Sequence, residues 1–269
     1  MRLTAFAAVL ALIFGAAALA GGAVGRIHDP AAASTDEMSM DADPVRGLAV
    51  SENGLTLDLA RTTARPGARL GLAFRILGDD GRAVREFDLE HTKRMHLIVV
   101  RRDLTGFQHL HPTLRADGTW TTPLRLPQAG TYRVFADFSV DGTPTTLADD
   151  LQVDGPVRSR ELPAPARAAE TDGFRVRLTD GAVRAGEESG LTFDVTRDGK
   201  RVALQDYLGA KGHLVALRAG DLAFLHVHPD ASSLRFEATF PNAGSYRLFL
   251  QFQVAGRVHT AAFTLEVSR

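Results

Sequence analysis

The sequence predicts an all-β chain: two tandem antiparallel β-sandwiches behind an N-terminal signal or anchor helix. Three observations predict it. Short runs such as "LTLDLA", "LGLAFRI", "MHLIVV", "TYRVFADFSV", "GLTFDV", "LRFEATF" and "YRLFLQF" are rich in β-branched, Leu and aromatic residues, with Gly, Asp, Asn and Pro between them. The chain repeats itself over a period of more than a hundred residues, too long for a solenoid and right for a duplicated domain. No segment after residue 26 keeps an apolar face at the helical period.

Taken in order, "MRLTAFAAVLALIFGAAALAGGAVGR" opens the chain with one early arginine and then an apolar Ala/Leu run. Ala18-Leu19-Ala20 offers the small residues a signal peptidase reads. The run from Thr4 to about Gly25 also approaches the roughly 20 residues that span a bilayer, so an uncleaved membrane anchor over residues 4–25 stays open beside a cleaved signal. Either way the rest of the chain is expected outside the cytoplasm, secreted or tethered to the outer face of the membrane. Residues 26–46 are polar and aperiodic, a tether. The first sandwich is expected over 47–154, a Pro-rich linker over 155–170 and the second sandwich over 171–269.

The two copies align. "ARPGARLGLAFRILGDDGRAV" (64–84) matches "VRAGEESGLTFDVTRDGKRV" (183–202), and "MHLIVVRRDLTGFQHLHP" (95–112) matches "GHLVALRAGDLAFLHVHP" (212–229). "QAGTYRVFADFSVDG" (128–142) matches "NAGSYRLFLQFQVAG" (242–256), after a three-residue deletion in the second copy. The least strand-like parts, "REFDLEHTKR" and "LQDYLGAKG", are expected as loops.

Composition narrows the function. With no cysteine, disulfides, thiolate zinc sites, iron–sulfur clusters, a cysteine nucleophile and a lipoprotein anchor are all excluded. Net charge is −1 and no basic stripe interleaves with aromatics, which argues against a nucleic-acid partner. No nucleophile elbow, P-loop, HExxH or dinucleotide fingerprint is present, so the chain is not expected to be an enzyme.

The His-x-His-Pro at 109–112 and again at 226–229 is the chemical signal. A hairpin turn centred between Asp103 and Leu104 sets Ile98 opposite His109 and His96 opposite His111. Side chains alternate faces and cross-strand partners share one, so His96, His109 and His111 converge. A turn between Gly220 and Asp221 does the same for His213, His226 and His228, and its glycine suits a turn better than "RDL". Imidazole without thiolate suits zinc or Cu(II), and three ligands leave a position open. Pro112 and Pro229 stop the strands directly after the last histidine, so each site is expected near a sandwich end and accessible. Met95 adds a soft thioether beside His96, although alternation points it to the opposite face; Met38 and Met40 read as tether residues. The competing reading is a structural imidazole network, or a stack with Phe107 and Phe224. Asp88 and Glu90 read as solvated loop acids. His91 and His259 lack counterparts in the other copy, and Tyr132 and Tyr246 fit hydroxyl–backbone bonds at sheet corners.

On "MHLIVVRRDLTGFQHLHP" and "GTYRVFADF", residues 66–153 and more loosely 185–267 resemble the YtkA-like domains. That resemblance implies exported immunoglobulin-like modules that often occur with copper-related proteins. Gly212 stands where the first copy has Met95, a departure from the pattern. The function expected is copper or zinc binding for sequestration, sensing or delivery. The alternative is an immunoglobulin-like envelope interaction module with structural histidines and a protein partner; a cuproenzyme subunit has no residue arguing for it.

Overall fold

The computed structural model describes residues 45–67, 69–225, 227–229 and 232–269, without the side chains of His228 and Pro229. The leader and the tether through residue 44 lie outside the described residues. Among the described residues there is no helix, and so none long and apolar enough to cross a membrane.

In the first sandwich one sheet runs Ser51–Glu52, Leu55–Leu59, Arg69–Leu77, Trp120–Arg125 and Thr113–Leu114 in spatial order. The facing sheet runs Thr63–Ala64, Thr143–Val153, Gly130–Val140, His96–Arg101 and Gln108–Leu110. The second sandwich repeats both orders. Its outer sheet is Ala168–Thr171, Phe174–Leu178, Glu188–Arg197, Arg235–Thr239 and His228–Pro229, with Lys200–Arg201 added beside Glu188–Arg197. Its inner sheet is Val183–Arg184, Arg257–Ser268, Gly244–Val254, Gly212–Arg218 and Phe224–Leu225. Pairing among the described strands is antiparallel except for Thr63–Ala64 and Val183–Arg184, each parallel to the last strand of its own sandwich.

The strands form where the sequence alternates. Along Arg69–Leu77, Leu70, Leu72, Phe74 and Ile76 are buried, while Arg69, Gly71 and Arg75 face water. Two-residue turns close the hairpins at Asn53-Gly54, Asp141-Gly142, Asp172-Gly173, Asp198-Gly199 and Ala255-Gly256. Every residue in them has positive φ, the geometry that matches strand twist. Tyr132 Oη donates to Gln128 O at 3.1 Å and Tyr246 Oη to Asn242 O at 2.9 Å, so both predicted tyrosine corners are present.

His96–Arg101 breaks the alternation: all six residues are buried. Leu97 and Val99 point into the first core, while Ile98 and Val100 point outward into a separate apolar cluster. That cluster joins Ile98, Val100, Leu104, Phe135 and Ala148 to Val215, Leu217, Leu222, Phe224 and Phe249 of the second sandwich. The inner sheets therefore pack against each other. Phe107 stacks on Phe249 with centroids 4.1 Å apart, and Phe224 meets Phe135 at 5.6 Å. Phe107 aligns with Phe224 and Phe135 with Phe249, so the contacts are reciprocal, as a two-fold axis makes them. Leu104 and Leu222 sit at φ +61° and +64°, a conformation that costs about 1–2 kcal/mol for a residue with a Cβ. Both are buried in the interface, which returns about 1.5–3 kcal/mol each.

The segments before and between the sandwiches are built into this arrangement. Arg46 O accepts from Phe224 N at 2.9 Å and Gly47 N donates to Thr146 O at 3.1 Å, so the tether's end touches both sandwiches. The linker is tied at Asp103, which accepts from Arg160 N (2.9 Å), Thr105 Oγ1 (2.6 Å) and the Arg101 guanidinium. Burial pushes the Asp103 carboxyl up, but the bonds from Arg101, Thr105 and Arg160 outweigh it and hold it at about 2. Ala168–Thr171 draws the end of the expected linker into the second sandwich.

Candidate metal centre

The first histidine hairpin has the predicted register. Leu97 pairs with Leu110, Ile98 with His109 and Val99 with Gln108. Leu97 points into the core, so His96, His109 and His111 share the opposite face, the face toward the second sandwich. Each offers a ring nitrogen, and the three nitrogens lie within 4.8 Å of one another. Ring centroids are 5.2 Å apart for His96 and His109, 5.1 Å for His96 and His111 and 4.8 Å for His109 and His111.

Neighbouring groups orient these rings. A turn at 90–93, with His91 and Thr92 at positive φ, presents Glu90 O to His96 Nε2 at 3.2 Å. His109 Nδ1 meets Gln251 Oε1 of the second sandwich at 2.7 Å. The second copy repeats the first device: a turn at 207–210, with Leu208 and Gly209 at positive φ, presents Tyr207 O to His213 Nε2 at 2.9 Å. His213 then lies 5.6 Å from His91, 6.2 Å from His109 and 6.3 Å from His96, between centroids. A cavity of about 40 Å³ opens between the sandwiches, lined in part by His91, His96, His109, His213, Glu90 and Asp137. That is room for an ion and a water or two.

A family model described as a domain of unknown function, DUF8832, matches residues 49–155 and again 169–269. The chain belongs to this family. Its two matched segments coincide with the two sandwiches. No curated protein matches the sequence. Among solved structures the chain is similar to an Escherichia coli alpha-2-macroglobulin activated by porcine elastase, at 13% identity and TM-score 0.29, over 80% of this chain and 20% of that one. It thus spans about a fifth of that protein's length. It is also similar to the Escherichia coli adhesin FdeC (16% identity, TM-score 0.29, 82% of this chain and 66% of that one). A chimeric titin Z1Z2 tandem is similar at 14% identity and TM-score 0.20, over 79% of this chain and 97% of that one.

Within this DUF8832 chain, the sequence-predicted residues fall into distinct places. His96, His109, His111 and His213 come together. Met95 does not join them: its side chain is buried in the first core, on the face that strand alternation assigns it. Phe224 and Leu225 keep the predicted register with Leu217 and Ala216, and the backbone of His228–Pro229 joins the outer sheet, with His228 paired to Glu237. His226 lies outside the described residues. Access also differs from expectation. The second sandwich covers the first hairpin, and His96 and His213 are each only 7% exposed. Phe107 stacks on Phe249 and Phe224 meets Phe135 at a tilt of 40°.

His91, weak on sequence, reaches the cluster because its turn folds back beneath His96. His259 goes elsewhere, its Nδ1 2.7 Å from Asp172 and its ring against Phe174 and Phe252. Asp88 accepts from Ser139 Oγ and Gly142 N, which fastens its loop and lowers its pKa. Asp137 and Gln251 were missed. They pair across the sheet with His96 and His213 in equivalent positions. The signal was a polar residue at matching places in "VFADF" and "LFLQF", two otherwise apolar strands.

The hydrogen bonds decide the tautomers. A carbonyl oxygen only accepts, so His96 donates from Nε2 to Glu90 O, and with Gln251 Oε1 turned to the ring His109 donates to it from Nδ1. In the neutral rings, His96 Nδ1 and His109 Nε2 then both carry lone pairs, and they face each other 3.0 Å apart. Two lone pairs repel at that distance. It is also the spacing of adjacent nitrogens on one ion with bonds of about 2.0–2.1 Å. His111 Nε2 is buried with no hydrogen-bond partner among the described residues. Burial lowers the pKa of His109 well below the ordinary histidine range, assisted by His96 and His111. Burial first, then His96 and Lys93, lower His111 to about 4. His109 and His111 are thus neutral at pH 7, the form a metal requires.

Proposed function

We propose that this protein binds a copper or zinc ion through His96, His109 and His111, outside the cytoplasm, in sequestration, sensing or delivery. The observation that carries the reading is the 3.0 Å approach of His96 Nδ1 to His109 Nε2, with the unpartnered His111 nitrogen beside them. An all-nitrogen donor set suits Zn or Cu(II), and the backbone and amide groups behind the rings are the outer-shell partners such ligands use. The family model that matches is DUF8832 and not a YtkA-like one, so the reading rests on the histidines, and the export expected from residues 1–25 is part of the proposal. The role is binding, without catalysis. Calorimetric titration with Cu(II) and Zn(II) against a competing chelator tests it. One tight equivalent, lost in His109→Ala/His111→Ala with the fold retained, is expected; equal binding by that variant would overturn the assignment.

A second reading rests on Gln251. With its amide turned, Nε2 donates to His109 Nδ1, His109 Nε2–H donates to His96 Nδ1, and a neutral chain closes without metal. The histidines would then fasten an immunoglobulin-like envelope module whose partner is a protein. This reading expects no metal dependence and a folding defect when the hairpin histidines are removed.

A further inference from the structure

We propose that His213 of the second sandwich is the fourth ligand of this site, so that one ion is held between the two sandwiches. The inference rests on the metal reading above and extends it across the domain boundary.

His213 is the counterpart of His96 in the repeat, and its ring is fixed the same way. His96 donates Nε2–H to the carbonyl six residues before it, Glu90 O, and His213 donates Nε2–H to the carbonyl six residues before it, Tyr207 O. Both neutral rings therefore keep their lone pair on Nδ1.

Distance supports a shared ion. With metal–nitrogen bonds of about 2.0–2.1 Å, two imidazoles on one ion have centroids about 4.5–6.5 Å apart, depending on the angle between them. The three hairpin histidines lie near the roughly 5 Å of a tetrahedral pair, at 5.2, 5.1 and 4.8 Å, while His213, 6.3 Å from His96 and 6.2 Å from His109, stands at the outer end of this range and must close by about 1 Å to complete the shell. The cavity between them is walled by both sandwiches: Ile98 on one side, Leu214, Val215 and Phe224 on the other. Asp137 lines it too, accepting from Thr146 Oγ1 at 2.7 Å, and places negative charge near a bound cation.

Four imidazoles fill a tetrahedral shell and leave no position for water. The site is then a holder rather than a Lewis-acid centre, and release requires the sandwiches to part. Coordination also crosses the interface, as the reciprocal phenylalanine contacts do.

The test titrates the full chain as wild type, His213→Gln and His109→Ala/His111→Ala with Cu(II) and Zn(II) against a chelator. Pulsed EPR counts the imidazoles on Cu(II)-loaded wild type. His213→Gln, which retains a donor for Tyr207 O, should weaken binding at least about tenfold, the smallest loss associated even with outer-shell partners. It should also lower the count from four to three, and the double variant should not bind. Wild-type affinity in His213→Gln would overturn the inference and leave the three-histidine site standing. Wild-type affinity in the double variant would overturn both. Should His213→Gln fail to fold, a count of three on the wild type refutes the fourth ligand by itself.

Discussion

His109 Nδ1 of the first sandwich lies 2.7 Å from Gln251 Oε1 of the second, a hydrogen bond between the two. The bond joins a candidate ligand to the neighbouring domain. It also selects which His109 nitrogen faces His96. Ligand geometry and domain packing are therefore coupled through one amide.

Replacing that amide should be felt at the site. Gln251→Leu removes the acceptor while keeping the apolar volume, and His109 loses the group that sets its tautomer. Copper or zinc affinity should drop about 10–100-fold, the usual cost of losing an outer-shell partner. Chelator competition measures it. Undiminished affinity would show that Gln251 does not control His109.

Acid should loosen the metal-free protein in a defined window. His111 and His213 have folded values of about 4, against 6.5 for an ordinary histidine. Between those values the unfolded chain binds protons that the folded chain refuses. Stability should therefore be fully present above about pH 6.5, decline as pH falls and level off near 4. Asp103, held at about 2, adds a further loss only below its ordinary value of 3.8. Urea midpoints at pH 7.5, 5.5 and 4.5 follow the decline. A midpoint constant across them would mean that the rings accept protons in place.

The phenylalanine stack should carry much of the contact between sandwiches. Phe249 is buried, and Phe249→Ala should cost about 3–5 kcal/mol. In a double-mutant cycle, Phe107 and Phe249 should couple by about 0.5–1.5 kcal/mol, the worth of an aromatic pair beyond its burial. Denaturant unfolding of the four proteins yields both numbers, and strict additivity would disprove the stack's contribution.

Gly47 should not tolerate a side chain. Its φ is +71°, and a Cβ there would lie 2.8 Å from atoms of both Phe135 and Phe224. Gly47→Ala should destabilise by more than about 1 kcal/mol, the upper range for replacements that fit their backbone. Thermal unfolding reads this out, with Gly142→Ala as a comparison: it also has positive φ, but nothing lies within 4 Å of its Cβ.

Much of this was legible in the residues because the rules involved are local. Alternation in "RLGLAFRIL" assigns one face to the core. Asp-Gly and Asn-Gly pairs close hairpins because they accept positive φ. The register that aligns Ile98 with His109 follows from the residue count around Asp103 and Leu104. Even Met95's burial was implicit in the face opposite His96. The second hairpin keeps the first one's register only through Leu225, for a physical reason. Its strand crosses to the outer sheet two residues before its counterpart in the first copy, at His228 rather than after Pro112, and residue counting cannot see a strand change sheets.

By itself, then, the sequence determined the all-β class, the duplication, the hairpin register and the three histidines on one face. All of these depend on neighbours in the chain or on a period of two. Tertiary structure alone decided that the outward faces of the two inner sheets bury each other. Only that packing carried His213, His91 and Gln251 to the first hairpin and converted a predicted open site into a covered one. The strands "HLIVV" and "HLVAL" are buried on both sides in the folded chain. Which surface would cover the second side is set by complementarity between residues more than a hundred positions apart, such as Phe107 with Phe249, and no local pattern encodes that pairing.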